Sequence, residues 1–307
     1  MKKITVLSPG TVANMVCGFD VLGFALHEPS DEMEISLIDE KKIIIQPDPV
    51  YHLPTVPEEN VAGAALLAML DEIEEPIGFE LSIRKHIKPG SGIGSSAASA
   101  AGAVVGANML LNNRFSKEDL VQFAMFGEKV ASGVKHADNI APCIYGGITL
   151  IRSIFPLDVI ALPSPDLHVS IVHPQIEVRT ADARAILKQQ VKLKDAIKQW
   201  GNIAALVAGI LKNDHTLIGR SLHDHIIEPV RSILIPGYDD LKQRCIDAGA
   251  LGGGISGSGP SVFMLSTSRQ IALDVEQQMI QTFTQLGIDH ATYVTSINPH
   301  GVIVKPS

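Results

Sequence analysis

The residues of this chain point to an α+β protein of two domains. Its 307 residues suggest two domains at roughly 100–200 residues each. Strand-like and helix-like segments mix in both halves, without the regular alternation of a doubly wound parallel sheet. Pro156, Pro163 and Pro165 cluster just after a central strand candidate. They divide the chain best into residues 1–162 and 163–307, although such a cluster also suits a surface loop.

The elements follow in order. Residues 4–7 are a short β-branched run that meets the breaker Pro9-Gly10 and predict a strand. Residues 33–37 and 42–45 are further strand candidates. Residues 60–70 have helical composition. Phe79, Leu81 and Ile83 alternate with Glu80, Ser82 and Arg84, the pattern of a half-buried strand. Residues 97–112 carry so little polar surface that a buried helix is expected, and residues 117–129 predict a more exposed one. Gly146-Gly147 precedes a strand at 148–151. The second half opens with a strand at 167–172. Helices are expected at 181–190, 194–210, 217–225, 238–248 and 271–286, and strands at 262–265, 291–297 and 302–304.

Hydrophobic residues make up 46% of the chain, enough to bury a real core. The formal net charge is −8, from 25 Lys+Arg and 33 Asp+Glu, with no dense basic run. Such a surface repels nucleic acid and anionic membrane. No apolar stretch approaches the ~20 residues of a membrane span, and the first apolar stretch is too short for a signal peptide. Cys17, Cys143 and Cys245 are far apart and unpatterned. They suggest neither a zinc site nor a disulfide framework, and fit a cytoplasmic protein with reduced thiols.

One segment carries chemistry: Pro89-Gly90-Ser91-Gly92-Ile93-Gly94-Ser95-Ser96-Ala97, between a strand and the buried helix. Glycines allow positive φ and close approach to a ligand. Successive N–H groups in such a turn form an anion-binding nest, and the following helix adds its positive end. Ser95 and Ser96 stand where they can cap the helix or bind an ion. The Walker pattern does not occur, and this segment, spaced G-x-G-x-G, does not fit G-x-G-x-x-G. Taken alone, the segment is almost equally well explained as a glycine turn with a serine cap.

It does not stand alone. Residues 88–99 resemble the second motif of the GHMP superfamily of small-molecule kinases, which includes galactokinase, homoserine kinase and mevalonate kinase. Residues 8–23, with Asn14 and then Gly18-Phe19-Asp20-Val21-Leu22-Gly23, resemble the first motif in its homoserine kinase form. Residues 251–263, with Gly252-Gly253-Gly254-Ile255-Ser256-Gly257-Ser258-Gly259-Pro260-Ser261, resemble the third. Order and spacing match along essentially the whole chain. Two departures stand out: Lys88 where the family has Pro, and Val16-Cys17 where it has Gly-Pro.

The resemblance implies the superfamily's architecture: an N-terminal domain like domain 2 of ribosomal protein S5, a ferredoxin-like C-terminal domain, and the nucleotide between them. It implies ATP-dependent phosphorylation of the side-chain hydroxyl of L-homoserine in threonine biosynthesis. Asn60 and Pro89, Gly90, Ser91, Gly92, Ile93, Gly94, Ser95, Ser96 and Ala97 would hold ATP, with Asn60 near the adenine. Ser96 and Glu128 would hold Mg²⁺. Asn14, Asp20, His136, Asn139, Thr180, Arg184 and Arg231 would bind homoserine, the arginines taking its carboxylate as planar forks. Asp138 matches the catalytic Asp of mevalonate-type relatives. Those pair it with a Lys of the first motif, and residues 14–23 hold none. The proton would then pass to the γ-phosphate, with Asp138 contributing little as a base. A homodimer is a family expectation.

Each residue also has a plainer account. Arg184 could face solvent on a helix, Asp20 could cap a helix starting at Val21, His136 could be an ordinary loop histidine, and Glu128 a solvated carboxylate. His223-Asp224-His225 tempts a metal assignment but lacks a third ligand at suitable spacing, and is assigned to a helix face. Two other functions compete: a superfamily kinase for a different small alcohol, such as mevalonate or a sugar, and a non-catalytic ligand-binding relative.

Overall fold

Two sheets organise the chain in a computed structural model that describes residues 2–305. The first half contains β1 (Lys3–Ala13), β2 (Leu22–Ile38), β3 (Ile43–Ile45), α1 (Val61–Asp71), β4 (Gly78–Arg84), α2 (Ser95–Leu110), α3 (Lys117–Ser132), α4 (Ile140–Tyr145), β5 (Ile148–Ile154) and β6 (Leu157–Leu162). The second contains β7 (His168–Pro174), α5 (Thr180–Ala185), α6 (Leu193–Lys212), α7 (His215–Ser221), α8 (Glu228–Arg231), α9 (Tyr238–Asp247), β8 (Gly252–Ile255), β9 (Val262–Ser266), α10 (Arg269–Gln285), β10 (His290–Ser296) and β11 (Ile303–Val304).

The seven-stranded sheet runs β11-β1-β2-β4-β3, with β5 also paired to β2 and β6 to β5. The chain's last strand therefore sits beside its first. Phe79, Leu81 and Ile83 of β4 are buried, as their alternation requires. Above them lies α2, buried on nearly every side. Its small residues allow the close approach: a Cβ on Gly106 would come within 2.2 Å of Ile35 Cδ1. Packing, not a polar face, holds this helix. The more exposed α3 is fixed locally by a Ser116–Asp119 capping box and ends at left-handed Gly133.

The four-stranded sheet runs β10-β7-β9-β8, every pair antiparallel. With α9 before β8 and α10 between β9 and β10, this is the ferredoxin-like arrangement. Those helices cover one face through Tyr238, Leu241, Val275, Met279 and Phe283. Toward the first sheet, Val12, Leu22 and Phe24 join Val169, Phe263 and Leu265 in one core. There Phe24 meets Phe263 edge to face, with centroids 5.7 Å apart, a pair that contributes about 0.5–1.5 kcal/mol beyond its buried area.

Several local expectations are corrected. β1 runs through Pro9-Gly10, because the register shifts between Pro9 and Thr11 and a bulge tolerates proline. The chain from Leu22 is strand, so Asp20 caps no helix. Pro156 lies in the β5–β6 hairpin. The glycines at 252–254 belong to a strand. α5 ends at Ala185, well short of residue 190. α7 ends at Ser221, which leaves His223-Asp224-His225 off the helix: Asp224 accepts from the N–H groups of Ile226, Ile227 and Glu228, and the two histidines stack on each other.

Candidate active site

A cavity of about 350 Å³ opens between the glycine loop, the turn after β1, the end of α3 and the short helices α5 and α8. Gly90, Gly92 and Gly94 all have positive φ (75°, 85° and 71°). These alternating left-handed residues form the nest. What surrounds the loop decides where its groups point. The Ser261 hydroxyl donates to Ser91 O (2.6 Å), the Ser256 hydroxyl to Gly92 O (2.8 Å) and Thr11 N–H to Ile93 O (3.1 Å). The carbonyls are thus tied back to protein, mostly by the third glycine-rich motif. The N–H groups of Gly92, Ile93 and Gly94 meet no acceptor among the described residues. A Cβ on Gly92 would lie 2.5 Å from Gly259 O, whereas one on Gly90 would meet nothing. Gly90, Gly92, Gly94, Ser95, Ser96 and Pro89 line the cavity, while Ser91, Ile93 and Ala97 are buried behind it. The Lys88 ammonium donates to Gln175 Oε1.

Beside the loop, the Ser96 hydroxyl donates to Glu128 Oε2 at 2.9 Å. Glu128 lines the cavity, so it is not the solvated carboxylate that its helix suggested. Burial pushes its carboxyl up to about 6, against the Ser96 hydrogen bond. Asp138 is 5% exposed. Burial, then the charges of Asp20 and Glu128, push it up to about 7. No cluster of three or more His, Cys, Asp or Glu forms a ready metal site among the described residues. Ser96 and Glu128 nevertheless offer two adjacent hard oxygen donors, one of them a carboxylate with no cationic partner among the described residues. That set fits Mg²⁺, which completes its shell with phosphate and water.

Across the cavity stand the groups expected for an amino acid. Asn14, Met15 and Val16 have φ of 75°, 39° and 65°, an unusual left-handed run that costs about 1–3 kcal/mol per residue. Bonds from Asn14 N–H to Leu22 O (2.7 Å) and from Gly18 N–H to Asn14 O (2.8 Å) hold the turn. It sends Asn14 Nδ2 to Gly257 O (2.8 Å) and lets Asn14 Oδ1 accept from Asp20 N–H (3.1 Å). Arg184 Nη2 bonds both Asp20 oxygens, at 2.9 and 3.0 Å. His136 Nδ1 lies 3.8 Å from Asp20; burial, outweighing the Asp20 charge, holds its imidazole below the usual value. Arg231, 4% exposed, donates from Nε to Ala183 O and from Nη1 to Gly257 O, both at 3.0 Å. Thr180 Oγ1 is 3.2 Å from Ser258 Oγ, and Asn139 Oδ1 accepts from the Thr11 hydroxyl at 2.8 Å. All seven residues expected to bind substrate line the one cavity.

Asn60 lines the far end with Leu53, Pro54 and Val61. Its side chain is engaged at both ends: Oδ1 accepts from Ala62 and Gly63 N–H, and Nδ2 donates one bond to Pro54 O. It therefore shapes that wall as the cap of α1.

Two site residues escaped the sequence. Lys85 lines the cavity, pairs with buried Asp31, and donates to Ser95 O and Ser99 Oγ, both at 3.0 Å. Burial lowers its ammonium, and Asp31 opposes this. Asp31 also accepts from His86 and Ile87 N–H. The pair thereby fixes the first turn of α2 to the strand that feeds the loop. A signal existed: Lys85 continues the parity of Phe79, Leu81 and Ile83, which places it on the buried side. The other residue is Phe19. The Arg184 and Arg231 guanidinium carbons lie 5.6 and 4.9 Å from its ring centroid.

Comparison with known proteins agrees with this geometry. The family of GHMP kinases N terminal domains matches residues 60–147, and the family of GHMP kinases C terminal domains matches residues 206–285. The chain belongs to the GHMP kinase family and, within it, to the homoserine kinases. It is 46% identical over 299 residues to the homoserine kinase of Chloroherpeton thalassium, covering 93% of this chain and 94% of that one. With that of Methanocella arvoryzae it shares 41% identity, covering 97% and 96%. The crystal structure of homoserine kinase from Cytophaga hutchinsonii superposes with a TM-score of 0.95 at 48% identity, covering 99% and 98%. L. major mevalonate kinase, at 17% identity and a TM-score of 0.69 over 97% and 96%, shares the fold.

Proposed function

We propose that this chain transfers the γ-phosphoryl group of ATP to the side-chain hydroxyl of L-homoserine, forming O-phospho-L-homoserine and ADP in threonine biosynthesis. One observation carries the assignment: an anion nest and two arginines meet across a single cavity. Phosphoryl transfer needs mainly positioning and charge neutralisation. The free N–H groups at 92–94, with the N-terminal end of α2, cradle the α- and β-phosphates. Ser96 and Glu128 would hold Mg²⁺, which neutralises developing phosphate charge when bound. Asp20 and Asn14 Oδ1 accept the substrate ammonium. Arg184 and Arg231 take the carboxylate, with Thr180 beside them, and this directs the hydroxyl toward the γ-phosphate near Asp138, His136 and Asn139. With no lysine in residues 14–23 to pair with it, Asp138 serves as a polar neighbour of the hydroxyl. The proton passes to the transferred phosphate as the bond forms.

In this account residues 1–162 bind the nucleotide and residues 163–307 supply the acceptor's arginines. The three free, buried cysteines suit a reducing cytoplasm. No helix among the described residues is long and apolar enough to cross a membrane. The test is ADP release, coupled to a spectroscopic readout, with homoserine, mevalonate and galactose as acceptors. Turnover with homoserine is expected, and its absence would sink the assignment. A ligand-binding relative without catalysis would release no ADP with any of the three.

A further inference from the structure

Arg184 and Arg231 are like charges in one partly desolvated wall, and each presses on the other: Arg184 adds to the burial that lowers Arg231. Something must hold them together before a carboxylate arrives. Their hydrogen bonds do part of this. Arg231 uses Nε and Nη1 on two carbonyls, and Arg184 uses Nη2 on Asp20. The remaining donors, Arg231 Nη2 and the Nε and Nη1 of Arg184, meet no acceptor among the described residues. Phe19 is the common neighbour, with both guanidinium carbons within 6 Å of its centroid. It lines the cavity directly before Asp20.

On the function proposed above, we infer that Phe19 is a positioning residue for acceptor recognition: its π face gathers the two arginines while leaving their free N–H groups for the substrate carboxylate. A ring attracts a guanidinium through its quadrupole and offers no lone pair to consume a donor. An acidic or amide side chain in this place would spend the same N–H groups that the substrate needs. An aliphatic side chain would fill the space and leave the two charges without the attraction. Arg231 has two carbonyl anchors of its own, so the guanidinium most dependent on the ring is Arg184, whose only other partner among the described residues is Asp20. Asp20 is itself expected to receive the substrate ammonium. When it does, the ring keeps Arg184 in place.

Phe19→Leu and Phe19→Met keep an apolar side chain and remove the π face; Phe19→Tyr keeps the π face and adds a hydroxyl only at the far end of the ring. Steady-state kinetics on the purified full chain should show the KM for homoserine rising about tenfold in the first two, which corresponds to about 1.4 kcal/mol. The KM for ATP and kcat should stay within about twofold of the parent, and Phe19→Tyr should behave like the parent. A general packing role would move both Michaelis constants and the melting temperature together. A parental KM for homoserine in both Phe19→Leu and Phe19→Met would overturn this inference alone, as would an equal rise in the two Michaelis constants or a Phe19→Tyr enzyme as impaired as Phe19→Leu. Absence of homoserine turnover by the parent would overturn the proposed function and this inference with it.

Discussion

Asp138→Asn should make the ligand-free protein more stable at pH 8. Its carboxyl is pushed from 3.8 up to about 7 by burial and by the charges of Asp20 and Glu128. The folded state therefore holds a proton that the unfolded state releases once the pH passes 3.8. As pH rises from about 4 to about 7, unfolding is increasingly favoured, and above 7 the full cost of the buried charge remains. Roughly three pKa units at 1.36 kcal/mol each amount to about 4 kcal/mol. Asparagine keeps the size and removes the charge, so it should recover much of that at pH 8. At pH 5 only a little over one unit has accrued, and the gain should fall to about 2 kcal/mol. Urea unfolding of both proteins at the two pH values measures this through the midpoint at unchanged slope. An Asp138→Asn protein no more stable than its parent at pH 8, or a gain of equal size at both pH values, would refute the reasoning.

In the same variant, kcat should fall by less than the ~100-fold that begins the usual range for a lost general base. A loss of several orders of magnitude with folding intact would make Asp138 the base after all. Glu128→Gln should raise the Mg²⁺ concentration for half-maximal rate, because one of two protein oxygen donors loses its charge; titrating the rate against MgCl₂ checks this, and an unchanged midpoint would remove Glu128 from the metal site. Gly92→Ala and Gly90→Ala form a matched pair, since both positions have positive φ but only the first would drive a Cβ into Gly259 O. Gly90→Ala should cost about 1–2 kcal/mol of stability, while Gly92→Ala should cost more and raise the KM for ATP. Similar thermal and kinetic effects at the two positions would contradict the contact.

The parts of the fold legible in the sequence were those with local causes. The alternation at 79–83 made a strand and the small residues of α2 made a buried helix, so the loop between them was placed correctly. Some features set by distant pairing were not legible. β1 passes through Pro9-Gly10 because β2 offers a bulge there. β8 reads as a glycine stretch until β9 pairs with it, and α4 and α8 are too short to show a helical period. The site divides in the same way. The motifs together with the other residues drawn from the resemblance named most of the cavity lining, but Lys85, marked by parity only as buried, takes its role from Asp31, 54 residues away, and Phe19 takes its role from arginines on two later helices. The Arg184–Asp20 pair was also hidden, since their 164-residue separation leaves no pattern to read.

The brevity of α5 and α8 bears on how this enzyme could diverge. Six and four residues are too few to form helices by their own propensity. They exist because the larger frame seats them, and they carry Thr180, Arg184 and Arg231. The glycine loop, proposed above to hold the phosphates, lies in a different stretch, locked by serines of the third motif. Descendants could therefore exchange the acceptor-facing pieces, and with them the alcohol accepted, while inheriting the donor machinery unaltered.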